Sequence, residues 1–386
     1  MVQRPTIVQF NLSPTLGGAE VYTAFFSRAL IARNWATRIV VSGASSFWND
    51  LDLGGAPRAV ANTAAAALTP GDIAVVHAPQ LVAPFRELGE SFVVGVAHQA
   101  IYNGKRPEYY DRADLLLAVS GHVATTLKRH GLTHVHPTPL YGVADLARGP
   151  RTGALLQGPL FDVDAHKPRD RIVAELHRLR MALSRPRRFT GRPGLTLGVV
   201  SRLAPLKQFP ALFDRLLPIL VRHSSVNLEI FGAAVGYKSY ASLRRALAPL
   251  GSRVRFWGCQ RDVAEAYRAL DYLLTGLPER EALGLNAIEA CSVGTPVLAI
   301  DAPPFSETMK DGVTGFLYAD PREDAGADFE RVLGGIESGK LRPDLGAVAT
   351  HLAPLSFDRF AERIDAVMAD VAAMQRDATQ GIASSR

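Results

Sequence analysis

The sequence predicts an α/β protein built of two doubly wound units, each a parallel sheet covered by helices, facing one another across a cleft. Three observations carry this. The chain has 386 residues, too many for one ordinary core, so two domains are expected. Short apolar runs alternate with helical stretches from end to end. Many of those runs are continuously apolar rather than alternating, as strands are when both faces of their sheet are covered.

Taken in order, the first half places strands at Thr6–Phe10, Thr37–Val41, Ile73–His77, Phe92–Ala97 and Leu115–Val119. The second half places them at Leu195–Val200, Asn227–Phe231, Arg253–Trp257, Tyr272–Thr275 and Val297–Ile300. The expected division is residues 1–190 for the first domain, 191–355 for the second, and 356–386 for a closing helix, free to pack back on the first domain, with a frayed tail. Ser356–Met374 carries the helical pattern behind an N-cap at Ser356 or Asp358, and Gln380–Arg386 reads as frayed. Between the domains, in the stretch from about Gly149 to Gly194, Asp170–Ser184 forms an amphipathic helix counted with the first domain. Ile172, Leu176, Leu179 and Leu183 share one stripe. Lys167, Arg169, Arg171, Arg178, Arg180, Arg185, Arg187, Arg188 and Arg192 surround it. Two readings stand: a helix docked on the first domain with a solvated basic face, or a surface for anionic lipid or acceptor.

Composition narrows the class. With 47% hydrophobic and 21% charged residues the chain is globular. No uncharged apolar run reaches the roughly 18 residues of a membrane span. The N-terminus leads straight into a strand, so no signal peptide is expected. Cys259 and Cys291 are far apart and follow no metal spacing, which suits a reduced cytoplasmic protein. The net charge of +6 permits an anionic partner: a nucleotide, a lipid headgroup or a nucleic acid. A soluble basic enzyme without any special partner fits the same charge. No nucleic-acid module, zinc site or Ser-His-Asp triad is present.

The residues able to carry chemistry lie past strand ends. In Leu195-Thr-Leu-Gly-Val-Val200-Ser-Arg202-Leu-Ala-Pro-Leu-Lys207 a buried strand gives way to two cations five positions apart. Ligands of open α/β sheets bind beyond the carboxyl ends of the strands, so both cations are placed for an anion. Arg offers a planar fork to phosphate and Lys a point charge. The alternative is a pair of exposed loop cations. In Glu281-Ala-Leu-Gly-Leu-Asn-Ala-Ile-Glu289 one acid lies in a loop and the other is expected in a helix's first turn, where its charge suits the dipole. Gly284 permits close approach, and the amides of Gly284 and Leu285 are placed to face phosphate. Glu289 is placed to accept from ribose hydroxyls and Glu281 to reach a sugar ring. The alternatives are helix-start stabilisation for Glu289 and solvation for Glu281. In the first domain Ser13-Pro-Thr-Leu-Gly17-Gly18-Ala-Glu20 follows the first strand. It contains neither a G-x-G-x-x-G fingerprint nor a P-loop. His77 and His98 both close buried strands, and His98 is the better candidate for an acceptor-side group.

Together these motifs resemble the retaining glycosyltransferases of family 4, which have the GT-B fold, and the resemblance covers most of the chain. Gly17-Gly18-Ala-Glu20 resembles that family's glycine-rich loop, which approaches the donor phosphate. Arg202 and Lys207 match its diphosphate-binding cations. Glu281 and Glu289 match its glutamate pair, the first on the donor sugar and the second on the ribose. Leu228-Glu-Ile-Phe-Gly232, Val254-Arg-Phe-Trp-Gly258, Thr295-Pro-Val297 and Asp311-Gly-Val-Thr-Gly315-Phe also fit. Departures exist: Leu206-Lys207-Gln208 stands for Glu-Lys-Gly, Leu140-Tyr-Gly-Val143 for Pro-Asn-Gly-Val, Leu283 for an aromatic, and Pro303-Pro-Phe-Ser-Glu307 lacks the usual glycines.

The resemblance implies transfer of a sugar from a UDP- or GDP-sugar to a hydroxyl of a glycan, glycolipid or small-molecule acceptor, with retained configuration. It implies a front-face route without metal or other cofactor, the leaving phosphate oxygen taking the acceptor proton. The first domain would be the acceptor side and the second the nucleotide-sugar side, with no nucleic-acid partner and peripheral contact with an anionic membrane as an option. A nucleotide-sugar epimerase of similar fold and a non-catalytic partner subunit are the alternatives.

Overall fold

A computed structural model describes the chain except residues 1–3, 44, 64–65, 78–87, 89–90, 104–106, 144–145, 147–154, 162–167, 184, 186, 261 and 385–386. Lys167, one of the cations expected around the linker helix, lies outside the described residues. The chain divides into one unit of Met1–Val143 with Ala353–Arg386, and another of Ala144–Leu352.

The first unit runs β1 (Ile7–Asn11), α1 (Gly18–Ala32), β2 (Thr37–Val41), β3 (Arg58–Val60), β4 (Ile73–Val76), β5 (Phe92–Ala97), β6 (Leu115–Ala118) and α2 (Gly121–Arg129). The second runs α3 (Pro168–Ala182), β7 (Thr196–Val200), α4 (Phe209–Arg222), β8 (Asn227–Phe231), α5 (Tyr237–Ala246), β9 (Val254–Gly258), α6 (Val263–Arg268), β10 (Tyr272–Leu274), α7 (Leu285–Ser292), β11 (Val297–Ile300), α8 (Phe305–Thr308), β12 (Gly315–Tyr318), α9 (Ala327–Glu337) and α10 (Val348–Leu352). The chain then returns to the first unit as α11 (Phe357–Ser384).

Both sheets are parallel and share one topology. Their orders are β3-β2-β1-β4-β5-β6 and β12-β11-β10-β7-β8-β9. Each is the doubly wound order, in which the winding reverses between the first and fourth strands and ligands bind at that switch point. The loops that matter are therefore those after β1 and β4 in one unit, and after β7 and β10 in the other. The central strands are buried along their whole length, so β4 and β11 read as unbroken apolar runs, while β1 and β8 also bury Gln9, Asn11, Asn227 and Glu229. Two edge strands were not expected. β3 has three residues with only the middle one buried, and β12 begins on a glycine.

In the second unit, α4 lays Phe209, Leu212, Phe213, Leu216, Ile219 and Leu220 against the sheet at helical spacing. A buried polar knot ties β8 to β9. The fully buried Glu229 carboxylate accepts from Trp257 Nε1 at 2.6 Å, from Arg192 Nη2 at 2.7 Å and from Arg255 Nε at 2.9 Å. Every strong acceptor site is filled, so the charge is tolerated inside the fold. Gly232, at the end of β8, has φ +127°, and a Cβ there would stand 1.9 Å from the Ser201 carbonyl oxygen. Only glycine lets that strand end press against the loop carrying Arg202.

The linker helix departs from expectation. α3 lies in the second unit, and the division falls near Val143 rather than at residue 190. Its inner face, with the buried Ala174 and half-buried Val173, joins the second unit's core, and Asp170 accepts from the Tyr237 amide at 3.1 Å, capping α5. The stripe of Ile172, Leu176, Leu179 and Leu183, expected to dock, is exposed.

In the first unit α11 crosses α1 and the sheet end. Trp35 Nε1 donates to Asp365 Oδ1 at 2.8 Å, Arg363 Nη2 donates to the Tyr141 carbonyl at 3.2 Å, and Gln375 Nε2 donates to the Gly71 carbonyl at 3.1 Å. The helix's own Phe360, Ile364 and Met368 are fully buried. The helix continues to Ser384, so Gln380–Ser384 are helical rather than frayed.

Candidate functional site

In the second unit the two switch-point loops converge. After β7 the chain passes Ser201 and Arg202, and the Leu203 amide donates to the Ala233 carbonyl at 2.9 Å, fixing where the arginine leaves the sheet. A short 3-10 turn, Pro205–Lys207, follows. Gln208 then takes a left-handed conformation, φ 52°, and starts α4. This is the position where the resemblance expects glycine, and its backbone shows why. Gln208 tolerates it with its amide bonded to Glu279 Oε1 at 3.0 Å. After β10 the chain runs through Gly276, where a Cβ would lie 2.8 Å from the Lys207 carbonyl oxygen. The two loops are thus in backbone contact.

This contact joins Lys207 to Glu281. The ammonium nitrogen lies 2.5 Å from Glu281 Oε2. The other carboxylate oxygen accepts from the amides of Ala282 at 3.2 Å and Gly284 at 3.3 Å. Burial by itself would raise this carboxyl, but Lys207 and the two amides together hold it below its ordinary value. Glu281 is therefore ionised and oriented, not solvated. The Gly284 amide, expected to face phosphate, donates to Glu281 instead, and Leu285 begins α7. Gly284 is still required: its φ is +73°, and a Cβ would meet the Phe305 ring at 2.8 Å.

Glu289 also departs from expectation. α7 begins at Leu285, so Glu289 is its fifth residue and sits in the second turn, beyond the reach of helix-start stabilisation. Its Oε2 accepts from the hydroxyl of Tyr267, on α6, at 2.8 Å. Burial pushes its carboxyl up to about 7, against the lowering effect of that hydrogen bond. Tyr267 is itself fully buried and was not anticipated; it stands 22 residues upstream, and no local pattern marks it.

In the first unit, the loop after β1 is built on Asn11 and Ser13. Asn11 Oδ1 accepts from the Ser13 amide, and Ser45 Oγ donates to the Ser13 carbonyl. Gly17 caps α1 with an extended backbone that any residue could adopt, and nothing lies within 4 Å of a Cβ built on Gly18. Backbone conformation does not demand glycine at 17, and neither packing nor backbone demands it at 18.

His77 ends β4 and His98 ends β5, and they meet at 3.3 Å, Nδ1 of the first to Nε2 of the second. Their protons follow from the neighbours. The Thr37 hydroxyl donates to the Ile7 carbonyl, so it accepts from Gln9 Nε2 at 3.0 Å. Gln9 therefore turns Oε1 to His77 Nε2, at 3.2 Å, and that nitrogen must donate. His77 Nδ1 is then an acceptor, His98 Nε2 carries the proton, and His98 Nδ1 keeps its lone pair. Burial lowers both imidazoles, His98 to about 3, so both are neutral at pH 7. A lone pair at His98 Nδ1 can accept a hydrogen bond from a hydroxyl.

This arrangement has a pH consequence. Unfolded histidine takes a proton near pH 6.5, whereas folded His98 resists until about 3. Across that window the unfolded state binds more protons, so stability falls as pH falls. Urea unfolding followed between those limits is expected to show this loss, and His98→Gln to reduce it. A loss unchanged in His98→Gln would refute the neutral-ring assignment.

The chain is similar to known proteins in sequence and in fold. Residues 194–333, within the second unit, match the family model of glycosyl transferases group 1. Over 215 residues the chain is 33% identical to the D-inositol 3-phosphate glycosyltransferase of Nocardia farcinica, covering 53% of this chain and 44% of that one. Over 130 residues it is 31% identical to the lipopolysaccharide core mannosyltransferase LpsB of Rhizobium meliloti, covering 32% and 36%. The chain thus spans less than half the length of each of these relatives. Among solved structures, HepE of Anabaena in complex with UDP and glucose superposes with TM-score 0.67 at 18% identity, covering 95% of this chain and 100% of that one. The sucrose-phosphate synthase of Thermosynechococcus elongatus superposes with TM-score 0.59 at 16% identity, covering 99% and 100%. The fold of this chain is that of these two structures. Among the described residues no helix is long and apolar enough to cross a membrane.

Proposed function

We propose that the protein is a retaining glycosyltransferase that moves a sugar from a nucleoside-diphosphate sugar to an acceptor hydroxyl. One observation carries the reading: at the switch point of the second unit, Lys207 and Glu281 meet at 2.5 Å. The cation is suited to a departing phosphate and the carboxylate to sugar hydroxyls, so their junction marks where the scissile bond would lie. Arg202, from the same loop as Lys207, adds a fork for diphosphate oxygens. Glu289 receives the ribose, and Leu285 offers the amide at the head of α7. Two cations would stabilise the leaving charge without a divalent metal.

The state of Glu281 supports a front-face route. Its oxygens are held by Lys207 and two amides, which makes it a positioning group rather than a nucleophile. The leaving phosphate oxygen then takes the acceptor proton as the new glycosidic bond forms. His98, with its open Nδ1, is assigned to the acceptor hydroxyl, and Gly17-Gly18 to the donor phosphate, since neither packing nor backbone requires glycine at 18. The acceptor is a glycan, a glycolipid or a small molecule, and the reaction belongs on the cytoplasmic side, where nucleotide sugars are found.

The test is a thermal-shift panel of UDP-, GDP- and ADP-sugars, followed by product analysis with the one that binds. A donor at about 100 times its Kd stabilises by about 2.7 kcal/mol, a clear rise in Tm. Turnover is expected to persist in EDTA. A panel in which no nucleotide sugar raises Tm would overturn the reading, and release of an epimerised donor without acceptor would replace it.

A further inference from the structure

We infer that the outer face of α3 is a docking surface for an anionic lipid bilayer. The helix is apolar on two faces, and only one is used by the fold. Val173 and Ala174 pack on the second unit's core, and His177 sets its ring edge-on to Phe161 at 5.3 Å. The opposite stripe carries Ile172, Leu176, Leu179 and Leu183, which are 61%, 62%, 59% and 81% exposed. These four side chains lie one helical turn apart, so they form a single continuous ridge rather than scattered surface leucines.

Charge decides what covers the ridge. At 100° per residue, Arg169 and Arg180 border it on one side; on the other Glu175 lies next to it, with Arg171 and Arg178 beyond. Arg178 lies 3.7 Å from Glu175 in an exposed pair. The other acid of the helix, Asp170, is on the inner face, capping α5. Past the helix, Arg185 and Arg188 are exposed, and Arg188 pairs across an isolated bridge with Leu156, itself 43% exposed. An apolar ridge with arginines along one border, and with Arg171 and Arg178 beyond a single Glu175 on the other, matches the depth profile of a membrane interface. The leucines enter the acyl boundary while the long arginine stems let the guanidinium groups reach lipid phosphates. A nucleic acid would use the arginines and leave the leucines in water. A second copy of the chain, in a two-fold contact, would bring arginine borders against arginine borders.

The full chain is expected to co-sediment with vesicles of phosphatidylcholine and phosphatidylglycerol at low salt, less at high salt, and not with phosphatidylcholine alone. The double variant Leu176→Ser, Leu179→Ser is expected to reduce partitioning about tenfold or more. Its Tm should change little, because both side chains are mostly exposed. Arg169→Gln with Arg180→Gln should weaken binding and flatten its salt dependence. The proposal is overturned if the wild type ignores anionic vesicles at low salt, or if the leucine variant binds them equally well. It is also overturned if, without vesicles, the wild type is a dimer in sedimentation velocity and the leucine variant a monomer, since the ridge then belongs to a second copy. None of these residues lies in the donor site, so the outcome is independent of whether a nucleotide sugar binds.

Discussion

Lys207→Ala is expected to reduce sugar transfer by about 10²–10³-fold, the usual effect of removing one donor that stabilises a leaving charge. The same change is expected to destabilise the second unit by about 2 kcal/mol near neutral pH. The second effect follows from Glu281. Its side chain is 13% exposed and its Oε2 faces the Lys207 ammonium at 2.5 Å. Without the ammonium, burial acts on an ionised carboxylate held by only two amides. Breaking a fully buried pair costs about 3–5 kcal/mol, and the partial exposure of Lys207 places this one lower. The sign with pH is fixed. The folded carboxyl lies below its ordinary value of 4.5, so the pair's contribution is present above that value and is lost as pH falls through the lowered one. Lys207→Met combined with Glu281→Gln removes both charges, and is expected to regain most of the stability while remaining inactive. Denaturant unfolding and initial rates separate the two effects. Full turnover in Lys207→Ala would remove the phosphate role, and additive stability losses in the double variant would show that the two residues are not coupled.

How far the sequence foretold this site depends on the range of the interactions involved. Arg202 and Lys207 are legible because they directly follow a buried strand, and β7 is recognisable by its own apolar run. The meeting of Lys207 with Glu281 is not legible, since it requires β10 to lie beside β7, an adjacency that no local pattern records. Gly284 is visible as a turn residue. Its amide's true partner, Glu281 Oε1, depends on how the loop folds back on itself. Tyr267 and the Glu229 knot were missed for the same reason: both are contacts between elements. The α3 stripe teaches a different lesson. Periodicity correctly marks an apolar face, but it does not say whether that face or the opposite one meets the core. Ala174, too small to draw notice in a hydrophobic pattern, marks the face that does. Short edge strands such as Arg58–Val60 carry too few buried residues to be read at all.

Glu289→Gln is expected to make the folded protein more stable and the enzyme worse. The free carboxyl titrates at 4.5, whereas the folded one holds its proton up to about 7, chiefly because of burial. Between those values the unfolded state binds fewer protons than the folded state. Stability therefore declines as pH rises through that window and stays depressed above it. The accumulated loss is on the order of 3 kcal/mol. Glutamine has no proton to release and can still accept from Tyr267 through its carbonyl oxygen. The variant's advantage should thus be full at about pH 8, shrink as pH falls below neutrality, and vanish near the ordinary carboxylate value. Donor affinity should move the other way. Losing hydrogen bonds to a charged acceptor costs about 1.5–3 kcal/mol, or roughly 10–150-fold in Kd. Had Glu289 been in the first turn of α7, neutralising it would have weakened the helix start and lowered stability. The second-turn position reverses that sign. A carboxylate kept where it destabilises the unliganded fold is best explained by what it binds, so a drop in stability at about pH 8 would refute the burial argument, and an unchanged donor Kd would refute the ribose assignment.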